Sequence, residues 1–166
     1  MILTPALAAA WFLPFVLPIA IWVSWSDMKF MRIPNIAVLA LTAVFLVIGP
    51  LALPLPDYGW RWVNLAVILT LGFLFTIAGL IGAGDAKFAA AMAPFVAAGD
   101  LRLFLALFAA ALLGAFAAHR LMRAVPAFRA ATRDWASWTN AKFPMGLALA
   151  GALVLYLIAA LAYGAA

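Results

Sequence analysis

The carboxylates of this chain can be taken one at a time, because its 166 residues hold five aspartates and no glutamate. Two of them are placed for chemistry. Asp85 stands in "LIGAGDAKF", framed by Gly82, Gly84 and Lys87 at the end of a long apolar run, and Asp27 lies between "IAIWVSWS" and "MKFMRIPN". Ionisable side chains at membrane depth are costly and point to function. Two carboxylates facing one pocket suit aspartic-protease chemistry, since like charges a few ångströms apart cannot both ionise and the pair then holds one proton. The ionised partner takes a proton from water as the water attacks a carbonyl, and the protonated partner donates to the developing oxyanion or leaving amine. Glycines beside such a pair allow backbone conformations barred to other residues and let a substrate strand come close.

Each of these residues also has a plain structural reading. An Asp after Gly and before an apolar helix is a good N-cap, which is the alternative for Asp85. Lys87 either lends its positive field to the dyad and substrate or marks the cytoplasmic side by snorkelling. Asn35, after Pro34, sits in the first turn of a helix. Asp57 in "PLPDYGW" and Asp100 in "AAGDLR" read as solvated turn residues, so their amide replacements should be silent. His119 is the single histidine, and without Cys or Glu a zinc site lacks ligands. The remaining nucleophilic arrangement pairs His119 with Ser24, Ser26 or Ser137. No phosphate loop or Gly-x-Gly-x-x-Gly is present, so neither metal nor cofactor is expected.

The elements that must position these groups belong to a membrane protein. Hydrophobic residues make up 70% of the chain and charged residues 9%, where a soluble domain carries about 25% charged. A lipid core about 30 Å thick needs roughly 20 apolar residues per helix. Six helices are predicted, near residues 6–24, 33–53, 62–81, 86–98, 101–121 and 144–163, and the runs show none of the alternation a β-barrel requires. The fold class is therefore all-α and polytopic, with the lipid bilayer as its solvent. The apolar N-terminus lacks a positive n-region, Lys29 being the first cation, so it reads as a retained span rather than a signal peptide.

Cations set the orientation. Lys29, Arg32, Lys87, Arg120, Arg123, Arg129, Arg133 and Lys142 follow the odd-numbered helices, and only Arg61 and Arg102 fall on the other side. The positive-inside rule then places both termini outside the cytoplasm, so reporters at Met1 and Ala166 should read as extracytoplasmic. The same rule accounts for the net charge of +5 without nucleic acid. It also puts Asp27 and Asp85 together on the cytoplasmic face.

Two regions are irregular. The fourth predicted helix has 13 residues, about 20 Å of a core roughly 30 Å thick, so the "GAGD" turn should dip into a wet, protein-lined pocket. In the basic loop 122–142, an interfacial helix is expected after Pro126, with Phe128, Ala131, Trp135 and Trp138 on one face and Arg129 and Arg133 on another. It would act as a surface anchor or as a movable cover over the site.

"SDMKFMRIPN" and "GAGDAKF" together resemble the paired signature of the prepilin peptidases, membrane aspartyl proteases of the Gly-x-Gly-Asp type. In that family an Asp precedes Ile-Pro-Asn as Asp27 precedes Ile33, Pro34 and Asn35, and Gly-x-Gly-Asp precedes a small residue and Lys as in Gly82 to Lys87. "KFPMGLALAG" is a looser echo of the family's last helix, with Met145 where an aromatic is usual. The resemblance spans nearly the whole chain in motif order and helix number. It implies a single membrane-embedded peptidase domain over 1–166, with Asp27 and Asp85 as catalytic dyad and Gly82, Gly84, Lys87, Pro34 and Asn35 in support. It further implies a multi-pass protein of the bacterial inner membrane, whose substrate is a prepilin-like precursor cut between a short basic leader and an apolar helix.

The likeness is to the short forms serving Flp-type pili, which lack the cysteine-bearing segment associated with N-methyltransferase activity, so methylation is not expected. Two rivals keep the same aspartates. A small proton or ion transporter would use them as a relay, but the halves show no inverted repeat. A signal-peptide-peptidase-like protease would carry Pro-Ala-Leu where this chain has "FPMG". The sequence sets neither the oligomeric state nor the separation of the carboxylates.

Overall fold

Runs of Leu, Ala and Phe in an apolar medium can satisfy their backbone hydrogen bonds internally only by coiling, and the chain does so along most of its length. The computed structural model describes residues 2–165; Met1 and Ala166, where reporters of orientation would sit, lie outside the described residues. The elements are α1 (Ala6–Phe30), α2 (Asn35–Ala52), α3 (Leu55–Ile77), α4 (Ala83–Met92), α5 (Leu101–Ala124), α6 (Pro126–Ala131) and α7 (Met145–Tyr163). All but α4 and α6 are long and apolar enough to cross a membrane. That is five, one fewer than the sequence suggests. The fourth segment is a ten-residue helix, about 15 Å at 1.5 Å per residue, followed by tight turns at Ala93–Phe95 and Ala98–Asp100 around an extended Val96 and Ala97.

α1 lies between α2 and α7, α5 covers the far side of α7, and α3 pairs with α4. Aromatic rings knit the centre: Phe12 meets Phe45 at 5.8 Å and Phe95 at 4.9 Å between centroids. Where α3 and α4 come closest, a Cβ on Gly72 would stand 3.0 Å from that of Ala86, so small residues set the approach.

The two chain ends meet. Ala6 N–H donates to Ala165 O at 3.0 Å and Ala165 N–H donates to Ile2 O at 3.2 Å. Beneath this junction the structure corrects the reading of Asp100. It is 5% exposed, and its carboxylate accepts the N–H groups of Leu3 (2.9 Å) and Thr4 (3.1 Å) and the Tyr156 hydroxyl (2.7 Å). Arg61 is buried beside it and donates to Phe95 O at 3.0 Å and Thr4 Oγ1 at 3.1 Å. The neighbouring Gly does mark a turn, but the N-terminal segment folds over it. Asp57 is exposed. Asp100→Asn places an amide N–H₂ among donors and should cost about 1–3 kcal/mol, read as a lower melting temperature in detergent, while Asp57→Asn melts like the parent.

Candidate active site

α1 runs six residues past the predicted end at Ser24, so Asp27 sits inside a helix rather than in a connecting loop, and it is 5% exposed. The helix stops just beyond it. Met31 adopts a left-handed conformation (φ 53°) whose N–H donates to Asp27 O, and the Ser26 hydroxyl secures the turn by donating to Arg32 O at 2.9 Å. Pro34 then caps the start of α2, where its missing N–H is not needed. A buried carboxylate requires donors. Asp27 Oδ2 accepts the Gly146 N–H at 2.6 Å, one of the free donors of the first turn of α7, at the positive end of the helix dipole.

Asp85 occupies the third position of α4 and is half-buried. It is not the N-cap: Gly82 holds that position, and no side-chain cap bond forms. The two glycines of "GAGD" differ. A Cβ on Gly82 would stand 2.8 Å from Asp85 Oδ2, in the space the carboxylate uses, whereas one on Gly84 would meet Ile33 at an ordinary 3.5 Å. Ile33 belongs to the "IPN" stretch, so the two sequence motifs are neighbours.

A second contact joins them. Lys87 Nζ donates to Asn35 Oδ1 at 3.5 Å, the long limit of a hydrogen bond, and both side chains are exposed. Lys87 is thus turned toward α2. The cation whose field reaches Asp85 is Lys142, from the loop before α7. α4 leans on α2 and α7, the two neighbours of α1, which brings Asp27 within Coulombic reach of Asp85. Both carboxylates therefore stand where a helix begins, Asp27 at the start of α7 and Asp85 at the start of α4. Gly146 is a site residue that the sequence does not single out: it lies in "KFPMGLALAG", the looser echo of the family's last helix, and nothing in that stretch shows that this glycine faces an aspartate 119 positions away.

The loop 122–142 differs from the continuous interfacial helix expected. α5 runs on to Ala124, α6 ends after six residues, and the chain doubles back so that Trp138 Nε1–H donates to Thr132 O at 2.8 Å. Trp138 is 2% exposed, stacked at 4.9 Å on His119 and at 5.9 Å on Trp135, with Arg129 over its ring. Burying these rings against one another takes Trp135 and Trp138 away from a lipid-facing stripe. The folded loop is tied to α1 by a salt bridge from Lys29 to Asp134 (3.1 Å), and that bond holds the Asp134 carboxyl below its ordinary range. The Ser24 and Ser26 hydroxyls donate to backbone carbonyls. Among the described residues no side-chain hydrogen bond joins His119 to a serine.

A family model described as the type IV leader peptidase family matches residues 14–119, which carry both aspartate motifs. No curated protein and no solved structure matches the chain.

Proposed function

The chain belongs to the type IV leader peptidase family, and from that premise we propose that it is an aspartic endopeptidase that removes the short basic leader of Flp-type prepilins at the cytoplasmic face of a bacterial inner membrane. The observation that carries this reading is that Asp27, bonded to the N-terminus of α7, lies within Coulombic reach of Asp85 in the first turn of α4. Donors and dipoles at those termini favour negative charge, while proximity disfavours two such charges at once, so the pair retains one proton.

The ionised carboxylate removes a proton from a water as its oxygen adds to the scissile carbonyl. The resulting tetrahedral intermediate collapses with cleavage of the C–N bond, and the protonated carboxyl delivers its proton to the departing amine. The Gly146 N–H holds Asp27 in place. Gly82 leaves room for Asp85, and Lys87 with Asn35 keeps the start of α4 against the start of α2. The orientation that serves this chemistry places both termini outside, as the distribution of cations favours.

Co-expression with a Flp-type prepilin, or incubation of the purified proteins, tests the proposal. The expected product is a prepilin shortened at the junction of leader and apolar helix, read by gel mobility and N-terminal sequencing. Chelators and serine- or thiol-directed reagents should leave the rate unchanged, because the chemistry uses two carboxylates and water. Uncut prepilin together with Asp85-dependent proton flux in liposomes would establish the transporter reading instead.

A further inference from the structure

α5 packs on α7 and α3 packs on α4, but α5 is not packed along either α3 or α4. The gap is a groove of about 360 Å³, enough to receive the apolar side chains along one face of a helix lying against it. Its floor is one face of the α4 segment, with Ala89, Met92, Ala93 and Val96. One wall comes from α5, where Leu101, Phe104, Leu105 and Phe108 recur at helical spacing. The other wall is Asn64, Val67 and Ile68 of α3. Asn64 is the single polar side chain in the lining, and its amide already donates to Val96 O at 3.1 Å. An occupant must therefore be apolar.

The register of α4 identifies which apolar occupant. Ala89 and Met92 lie four and seven positions beyond Asp85, on the same side of the helix. The groove floor is thus the continuation of the face that carries Asp85. Beyond the ten residues of α4 the lining continues through Ala93, Val96 and Ala98. We infer that this groove receives the apolar helix of the substrate, entering sideways from the lipid between α3 and α5, so that the polypeptide at the end of that helix is delivered to Asp85 and Asp27. The inference rests on the peptidase reading above. A lipid acyl chain would fit the lining equally well, but gains nothing from a groove in register with a carboxylate.

The test uses the full-length protein in membranes, with Asp85→Asn to hold the substrate uncut and a benzophenone amino acid placed at Phe104, Phe108 or Ile68. The same probe at Leu39 of α2 and Ile158 of α7, both exposed to lipid, serves as control. Crosslinks to the prepilin should form at the groove positions, be absent at the controls, and disappear when the apolar helix is deleted from the substrate. In the otherwise native enzyme, Ala93→Leu should raise KM roughly tenfold with kcat retained, as expected when a large apolar side chain of the substrate loses its burial. Equal crosslinking at the controls, crosslinks to lipid alone, or persistence with the helix deleted would overturn the assignment. Cleavage by the unsubstituted enzyme is measured in parallel: intact cleavage without groove crosslinks defeats the groove alone, and absent cleavage defeats the peptidase reading.

Discussion

Asp27→Asn and Asp85→Asn should each lower prepilin cleavage by roughly 1,000-fold or more, while the protein continues to accumulate in the membrane and melts near its usual temperature. General acid–base catalysis contributes about 10² to 10⁴, and here both directions of proton transfer depend on the same two groups. The Asn side chain keeps the size of Asp and can still offer an oxygen to the Gly146 N–H, which bonds Asp27 at 2.6 Å. The substitution at Asp27 thus removes ionisation rather than packing. Groups that act as a unit are not additive, so the double variant should be scarcely slower than either single one. Measurable turnover by one single variant at near-native rate would remove that residue from the dyad.

Gly146→Ala should cost on the order of 100-fold in kcat without comparable loss of stability. A Cβ at this position would lie 2.9 Å from Asp27 Oδ2 and 3.0 Å from Asp27 Cβ. Neither atom is the free end of a long side chain, and Asp27 is held inside α1, so the carboxylate or the start of α7 must move. A misplacement of about 1 Å in a catalytic group can cost on the order of 100-fold in rate. Gly151→Ala on the same helix is the control: its Cβ would meet Ala111 at an ordinary 3.8 Å, and Ala is the better helix former by about 1 kcal/mol. The two variants should differ in turnover and resemble each other in melting. Equal activity would show that α7 does not position Asp27.

The candidate site was legible in part because its chemistry leaves compositional traces. With no glutamate and a single histidine, a carboxylate beside an apolar run stands out, as Asp27 and Asp85 do. The glycines around Asp85 signal close approach, and the structure shows it at Gly82, where a Cβ would stand 2.8 Å from the carboxylate, but not at Gly84, where a Cβ would meet Ile33 at an ordinary 3.5 Å. Gly146 left no such trace. Nothing local distinguishes a glycine that packs on a distant aspartate from one, like Gly151, that meets only a methyl group.

In two places a long-range contact overrides a sound local rule. Asp100 follows a glycine in a turn, as a solvated residue would, yet the segment from Leu3 to Thr4 folds over it and supplies N–H donors from nearly a hundred positions away. Trp135 and Trp138 fall at helical spacing with Phe128, but the stack on His119 and the Lys29–Asp134 bridge fold the loop on itself. Local pattern sets what a segment can do in isolation. Burial of large rings and the satisfaction of buried carboxylates are settled between segments.

By itself, then, the amino-acid sequence determined the solvent, the helical class, the approximate spans and the two aspartates worth testing, because each follows from local composition and from the need of a backbone in lipid to bond to itself. Only the tertiary structure decided that the N-terminus of α7 supplies the donor for Asp27, and that an apolar groove lined by Ala89 and Met92 opens on the Asp85 side of α4. These are properties of distances between helices. They depend on which small residues let neighbours close up, Gly72 on Ala86 and Gly146 on Asp27, and on where, as between α3 and α5, no neighbour does.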